Sequence, residues 1–201
     1  MKKQYGFTIV ELIVVIIILT ILAVVAFPRF VDIQQDAQIS KNTAIASAFE
    51  QGVKSAQLLW QVDGKPSNTN NNNRRGPQVN YNGNLVTVDA NTGFPVGSAG
   101  RDTGVHINAS ADCLTIFTDI MDTSITIVDR VNRNNPSTAN RAGFDVLVTR
   151  TNDNSAGDKC NYYLIETIPS DSRNPGDGVP SQYLGFSYNA QTGAVDTFNF
   201  L

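Results

Sequence analysis

The sequence of 201 residues is poor in the side chains that most active sites need. It holds one histidine, His106, together with two cysteines, two methionines and one tryptophan. One imidazole and two thiols are too few soft ligands for a structural zinc site, which takes four. There is no nucleophile elbow, phosphate-binding loop or paired-histidine metal motif. His106 stands between Val105 and Ile107, a setting that suits packing or a surface position better than proton transfer. Asn152-Asp153-Asn154 and the stretch Asp171 to Asp177 miss the spacing of an EF-hand loop, which leaves an irregular calcium site as the only metal alternative. No catalytic, cofactor-binding or metal-ligating set is therefore expected, and the chain reads as a non-enzyme. Charge is also scarce: 16% of residues are charged and the net charge is −3. That balance excludes nucleic acid as the main partner, because phosphate binding needs clustered Lys and Arg. With 41% hydrophobic residues and a mean hydropathy of −0.15, the chain is neither a multispan membrane protein nor a disordered polyelectrolyte. Its length suits one domain, or one domain with an appendage.

What is present is concentrated at one end. Residues 7–27 read FTIVELIVVIIILTILAVVAF, with Glu11 as the one charge and Thr8 and Thr20 as the hydroxyls. At about 1.5 Å per helical residue this run reaches roughly 31 Å, close to the hydrocarbon thickness of a bilayer. A buried core helix is the alternative, but cores seldom need a helix that is apolar on every face. Lys2 and Lys3 precede the run, and the positive-inside tendency keeps them in the cytoplasm, so that everything after Pro28 lies beyond the membrane. A cleavable secretory signal would be shorter and would end in a small-x-small site, which Ala23-Val24-Val25-Ala26 resembles only faintly. A carboxylate inside such a run costs on the order of 2.5–3.5 kcal/mol on insertion scales, so Glu11 is a functional candidate. The bland alternatives are that it snorkels to the near interface or is protonated.

Gly6-Phe7-Thr8-Ile9-Val10-Glu11-Leu12, after a short basic leader, resembles the class III signal of type IV pilins and their pseudopilin relatives. The resemblance implies a leader of residues 1–6, cut between Gly6 and Phe7 by a prepilin peptidase that also N-methylates Phe7. It makes Glu11 the assembly glutamate, which meets the terminal amine of a neighbouring subunit, and Pro28 the helix-kinking proline. A proline inside a helix lacks an amide donor and crowds the preceding turn, so a kink or local unwinding is expected there. Two opposite charges in a low-dielectric bundle attract strongly, and either one left alone is costly. The pair would therefore set subunit register.

Past Pro28, Phe30, Ile33, Ala37, Ala44, Ala48, Phe49, Val53, Ala56 and Trp60 recur mostly at steps of three or four, which predicts one packed helix face. Asp63-Gly64-Lys65-Pro66 supplies a stop. The whole helix is expected from Phe7 to near Val62, with residues 7–27 as membrane and filament-core part, 28–62 as amphipathic part, and 63–201 as a globular head. Residues 65–100 are loop-like, with the Asn68 to Asn73 stretch as a surface loop or a binding loop and a short strand at Leu85–Asp89. A helix is expected from Ser110 to Met121 and extended chain over Ile125–Val128. Strands are expected at Phe144–Arg150, Asn161–Ile168, Tyr183–Tyr188 and Ala194–Phe200, with a hairpin turn at Asn189–Gly193. The class is α+β, the pilin fold: a long N-terminal helix packed on an antiparallel sheet.

Cys113 and Cys160 are expected to form a disulfide beyond the cytoplasmic membrane, with two free buried thiols as the alternative. Chain entropy for that loop gives roughly 4 kcal/mol. A carboxyl-terminal disulfide is similar to the one that bounds the D-region of type IV pilins, but here two expected strands follow the second cysteine. Pro28-Arg29-Phe30-Val31-Asp32-Ile33 and Cys160-Asn161-Tyr162-Tyr163 look most like the mannose-sensitive haemagglutinin pilins. The resemblance implies an inner-membrane precursor and then an extracellular fimbrium made of copies of this chain. It implies the prepilin peptidase and the inner-membrane pilus assembly machinery as partners, with adhesion and biofilm formation as roles. A minor pilin or secretion pseudopilin, and a non-polymerising single-pass protein with a binding ectodomain, are the alternatives.

Overall fold

The structure, a computed structural model, describes residues 6–67, 76–97, 107, 110–121, 124–129, 143–151, 159–168 and 183–198. Helix α1 runs Ile9–Val62, and residue 28 lies within it. Its end follows from local chemistry. Gly64 and Lys65 take left-handed backbone angles (φ 81° and 54°). Lys65 N–H then donates back to the Trp60 carbonyl at 2.9 Å, which satisfies a carbonyl the helix would otherwise orphan.

The chain divides into two compact units, residues 1–40 and residues 41–201. In the first unit the helix buries almost nothing: every large apolar side chain from Ile9 to Ile33 that is described lies exposed.

The second unit begins with the last turns of α1. Then come β1 (Gln78–Tyr81), β2 (Asn84–Thr87), α2 (Ser110–Ile120), β3 (Ile127–Asp129), β4 (Val146–Thr151), β5 (Lys159–Leu164), a 3₁₀ turn (Ile165–Thr167), β6 (Gly185–Asn189) and β7 (Val195–Phe198). β1 and β2 form a hairpin, and the remaining strands form one sheet in the order β3-β4-β5-β6-β7. The α+β class and the antiparallel-rich sheet agree with the expectation from sequence. One pair corrects it: β3 runs parallel to β4. Parallel neighbours need a long connection, and residues 130–145 provide one. The pair is fixed at its start by Asp145, whose carboxylate accepts from the Thr126 N–H and hydroxyl, both at 2.8 Å. These bonds, with Lys41 nearby, hold the Asp145 carboxyl below the usual carboxylate range.

The core is aromatic. Phe49 of α1 is fully buried and meets Tyr162, Phe186, Tyr188 and Phe117 at ring-centroid distances of 5.2–5.8 Å. The buried face of α1 is Asn42, Ile45, Ala46, Phe49, Val53, Ala56 and Trp60. Phe30, Ile33, Ala37, Ala44 and Ala48, expected on the packed face, are exposed instead. The helix has turned so that Asn42 enters the core, where its side-chain amide donates to the Gly185 carbonyl at 2.9 Å. Close approach continues between helices, since a Cβ on Gly52 would lie 2.1 Å from a methyl of Ile120. Cys113 of α2 and Cys160 of β5 are joined by a disulfide, with Cα atoms 5.4 Å apart and both residues fully buried. β6 and β7, which follow Cys160, are integral strands of the same sheet, β6 paired antiparallel with β5 and β7 with β6.

Candidate assembly site

Thr8 and Glu11 close the N-terminus of α1 on each other. Thr8 N–H and the Thr8 hydroxyl both donate to Glu11 Oε2 at 2.9 Å, and Glu11 N–H donates to Thr8 Oγ1 at 3.3 Å. This reciprocal pattern is a capping box: the first turn of any helix leaves amide donors unpaired, and Thr with Glu three positions on satisfies two of them. The Thr-x-x-Glu spacing of this box is legible in the sequence, and it gives Glu11 a role within its own chain beside the intermolecular one that the pilin resemblance implies. Both Thr8 bonds fall on Oε2, so Oε1 has no hydrogen bond among the described residues and stays available.

Downstream, Ile9–Phe27 is the one helix stretch among the described residues that is long and apolar enough to cross a membrane, and none of it is buried. Its second hydroxyl is also satisfied locally, since Thr20 donates to the Ile16 carbonyl at 2.7 Å. That bond removes a donor which would be costly in hydrocarbon. Phe7 is 89% exposed and, with Gly6, precedes the helix. An irregular, exposed peptide bond between them is open to a protease. Gly6, Phe7, Thr8 and Glu11 thus form one local group, whereas the backbone at residue 28 is helical and five turns distant.

The other expected features lie elsewhere. The disulfide residues sit in the core of the second unit, where the Tyr162 hydroxyl donates to the Cys113 carbonyl at 2.9 Å. Burial pushes the Tyr162 and Tyr188 hydroxyls well above the usual tyrosine range, and pushes Tyr163 up to about 12 against the opposing effect of Thr149 beside it. His106, the Asn68 to Asn73 stretch, Asn152-Asp153-Asn154 and Asp171 to Asp177 lie outside the described residues. Among the described residues no three His, Cys, Asp or Glu side chains are grouped to hold a metal ion.

One comparison with known proteins falls on the same end of the chain. The family described as the prokaryotic N-terminal methylation motif matches residues 1–27. The type IV narrow pilus major component PilA5 of Thermus thermophilus is 34% identical over 114 residues, which is 57% of this chain and 87% of that protein. Two fimbrial proteins of Pseudomonas aeruginosa are each 38% identical over 58 residues, 29% of this chain and 38% of theirs. No solved structure matches.

Proposed function

This chain belongs to the type IV pilin family, and from that premise we propose that it is the major structural subunit of a type IV pilus. The observation that carries the reading is the exposed apolar helix Ile9–Phe27, capped through a single acid and preceded by the Gly6-Phe7 junction. A helix with no buried face in its own chain has two stable environments, lipid and a bundle of like helices. In this proposal the leader of residues 1–6 is removed by a prepilin peptidase and Phe7 becomes the N-methylated terminus. The inner-membrane precursor, anchored by residues 7–27 with Lys2 and Lys3 cytoplasmic, is then drawn by the assembly machinery into an extracellular filament. Lipid already solvates the helix, so burial contributes little net drive. Packing, the charge of Glu11 against a neighbour's terminal amine, and the assembly motor supply it.

Adhesion, surface attachment and biofilm formation are the roles proposed for the filament. The subgroup proposed is the mannose-sensitive haemagglutinin pilins, supported by the residues at 28–33 and 160–163 quoted above. The test is mass spectrometry of the mature amino terminus together with the protein sheared from cells. An N-methylated Phe7 on the dominant sheared protein is expected. An intact Met1-Lys2-Lys3 start would refute processing. A methylated chain scarce among sheared protein would place it instead among minor pilins or secretion pseudopilins.

A further inference from the structure

The N-terminal unit carries two charges whose spacing is a whole number of helical turns. Glu11 and Arg29 are eighteen residues apart. At about 100° and 1.5 Å per residue this is five full turns and about 27 Å. The backbone is helical from Ile9 to Val62, so both residues stand on one face of α1. Toward the far end of that face Leu22, Val25, Ala26, Arg29, Phe30 and Ile33 line an open groove of about 410 Å³. The small Ala26 lowers its floor, and Arg29 is its one charged lining residue. Arg29 is exposed and has no ion pair among the described residues. An occupant must therefore be apolar along its length and anionic at one point. The stretch Thr8 to Val15 of the same sequence meets both conditions, with Glu11 as its only charge.

We propose that this groove receives the start of α1 from a second copy of the chain, parallel and displaced by about 27 Å, so that the incoming Glu11 pairs with Arg29. The proposal rests on the polymerisation reading above. Parallel orientation follows because every copy enters the membrane the same way round. A rotationally repeated bundle turns one face of each helix toward a common axis, and two residues on that face meet there. The joint is heterologous: each copy presents Glu11 to one neighbour and Arg29 to another, and such contacts propagate without closing. Glu11 Oε1 is the oxygen left for the new partner, since Thr8 occupies Oε2. A carboxylate accepts several donors, so a terminal amine and a guanidinium can share it. A slip of one turn, about 5.4 Å, would separate the charges and so be disfavoured.

Cryo-electron microscopy of wild-type filaments tests this directly. The expected result is a pair of subunits offset by about 27 Å, with the Arg29 guanidinium in salt-bridge contact with Glu11 of the other copy. Arg29 turned to solvent or to an acid of its own chain would overturn the pairing. A second arm keeps both charges and places cysteines at Val15 and Ile33, which share the same eighteen-residue offset one turn further on. Oxidation of Val15→Cys/Ile33→Cys filaments should give a ladder of cross-linked oligomers that neither single variant gives. Intact filaments without that ladder, or a ladder from Val15→Cys/Phe30→Cys in its place, overturn the register. Should the double variant not assemble, the wild-type map decides. Absence of filaments from wild-type cells would instead sink the polymerisation reading itself.

Discussion

Glu11 has two candidate duties, capping its own helix and neutralising a neighbour, and one substitution separates them. Glu11→Gln keeps a side-chain carbonyl at the same reach, and Gln serves in a capping box as Glu does. The bond from Thr8 N–H therefore survives, and only the charge is lost. The local cost is the difference between a charge-assisted and a neutral hydrogen bond, about 1 kcal/mol. The intermolecular cost is larger. A buried ion pair broken by removing one partner costs about 3–5 kcal/mol, because the remaining cation is desolvated without compensation. At 1.36 kcal/mol per decade that is at least a hundredfold in the assembly equilibrium per subunit. Thr8→Val makes the opposite cut: it removes the hydroxyl's two bonds and leaves the carboxylate charged. Immunoblots of sheared filaments against total chain should show Glu11→Gln nearly devoid of filaments, while Thr8→Val retains a substantial fraction. Circular dichroism in detergent should show near-native helix content in both. Normal filament yield from Glu11→Gln beside severe loss in Thr8→Val would refute the charge argument and leave capping as the whole role of the site.

Phe49→Ala removes the ring on which four other aromatics converge, and should lower head stability by about 3–5 kcal/mol, measured by thermal melting of the full chain in detergent. A loss under 1 kcal/mol would show that the cluster collapses freely. Gly185→Ala places a Cβ 2.2 Å from the Tyr162 carbonyl oxygen, which is fixed in the sheet, so destabilisation of at least 1–3 kcal/mol is expected, and an unchanged melt would contradict the strand geometry. Tyr162, Tyr163 and Tyr188 resist ionisation in the folded head, Tyr163 to about 12, whereas the unfolded chain ionises near 10. Stability is therefore complete below pH 10 and declines as pH rises from there through 12. A tyrosinate absorbance titration should show these rings ionising together with unfolding; early ionisation with intact near-ultraviolet dichroism would count against their burial. Cys160→Ser should cost roughly 4 kcal/mol by chain entropy, checked by denaturant unfolding against wild type, and no shift would mean the reduced loop stays ordered by packing alone.

Much of the fold was legible because strong local signals agree with the tertiary outcome. An apolar run continued by an amphipathic stretch of helical period and closed by Asp63-Gly64-Lys65-Pro66 reads as one long helix, and β4 to β7 carry the β-branched and aromatic residues that suit half-buried strands. The misses have physical causes. β1, Gln78-Val79-Asn80-Tyr81, buries only Val79, so periodicity gave no warning, although Asn82-Gly83 with φ of 51° and 91° is a hairpin turn with an Asn-Gly signature. The inward turn of Asn42 could not be read from hydrophobicity, because a buried amide is acceptable only where a carbonyl awaits it, and Gly185 lies far away in sequence. The parallel β3–β4 pair depends on Thr126 meeting Asp145, a contact that no local pattern encodes. At the candidate site, Glu11 stands out as a charge among apolar residues, whereas its bonds to Thr8 follow from a Thr-x-x-Glu spacing that hydrophobicity does not display.

The two units spend their polar groups differently, and the difference bears on the proposed assembly. In the head, hydroxyls and amides such as Tyr162, Tyr188 and Asn42 are consumed by backbone carbonyls within the fold. In the N-terminal unit Thr20 and Thr8 are consumed within one turn of their own helix, which keeps the stretch acceptable to lipid. Among the described side chains from Thr8 to Arg29, what remains uncommitted is one carboxylate oxygen at one end and one guanidinium at the other. Apolar side chains discriminate weakly between lipid and a neighbouring helix, because both offer hydrocarbon. Specificity for a bundle of a given register must then come from those two groups and from the fit around Ala26. Neutralising Arg29 should accordingly leave membrane insertion unchanged while it lowers filament yield, a separation that fractionation of Arg29→Gln cells would measure. Equal loss from both compartments would place Arg29 in folding or insertion instead.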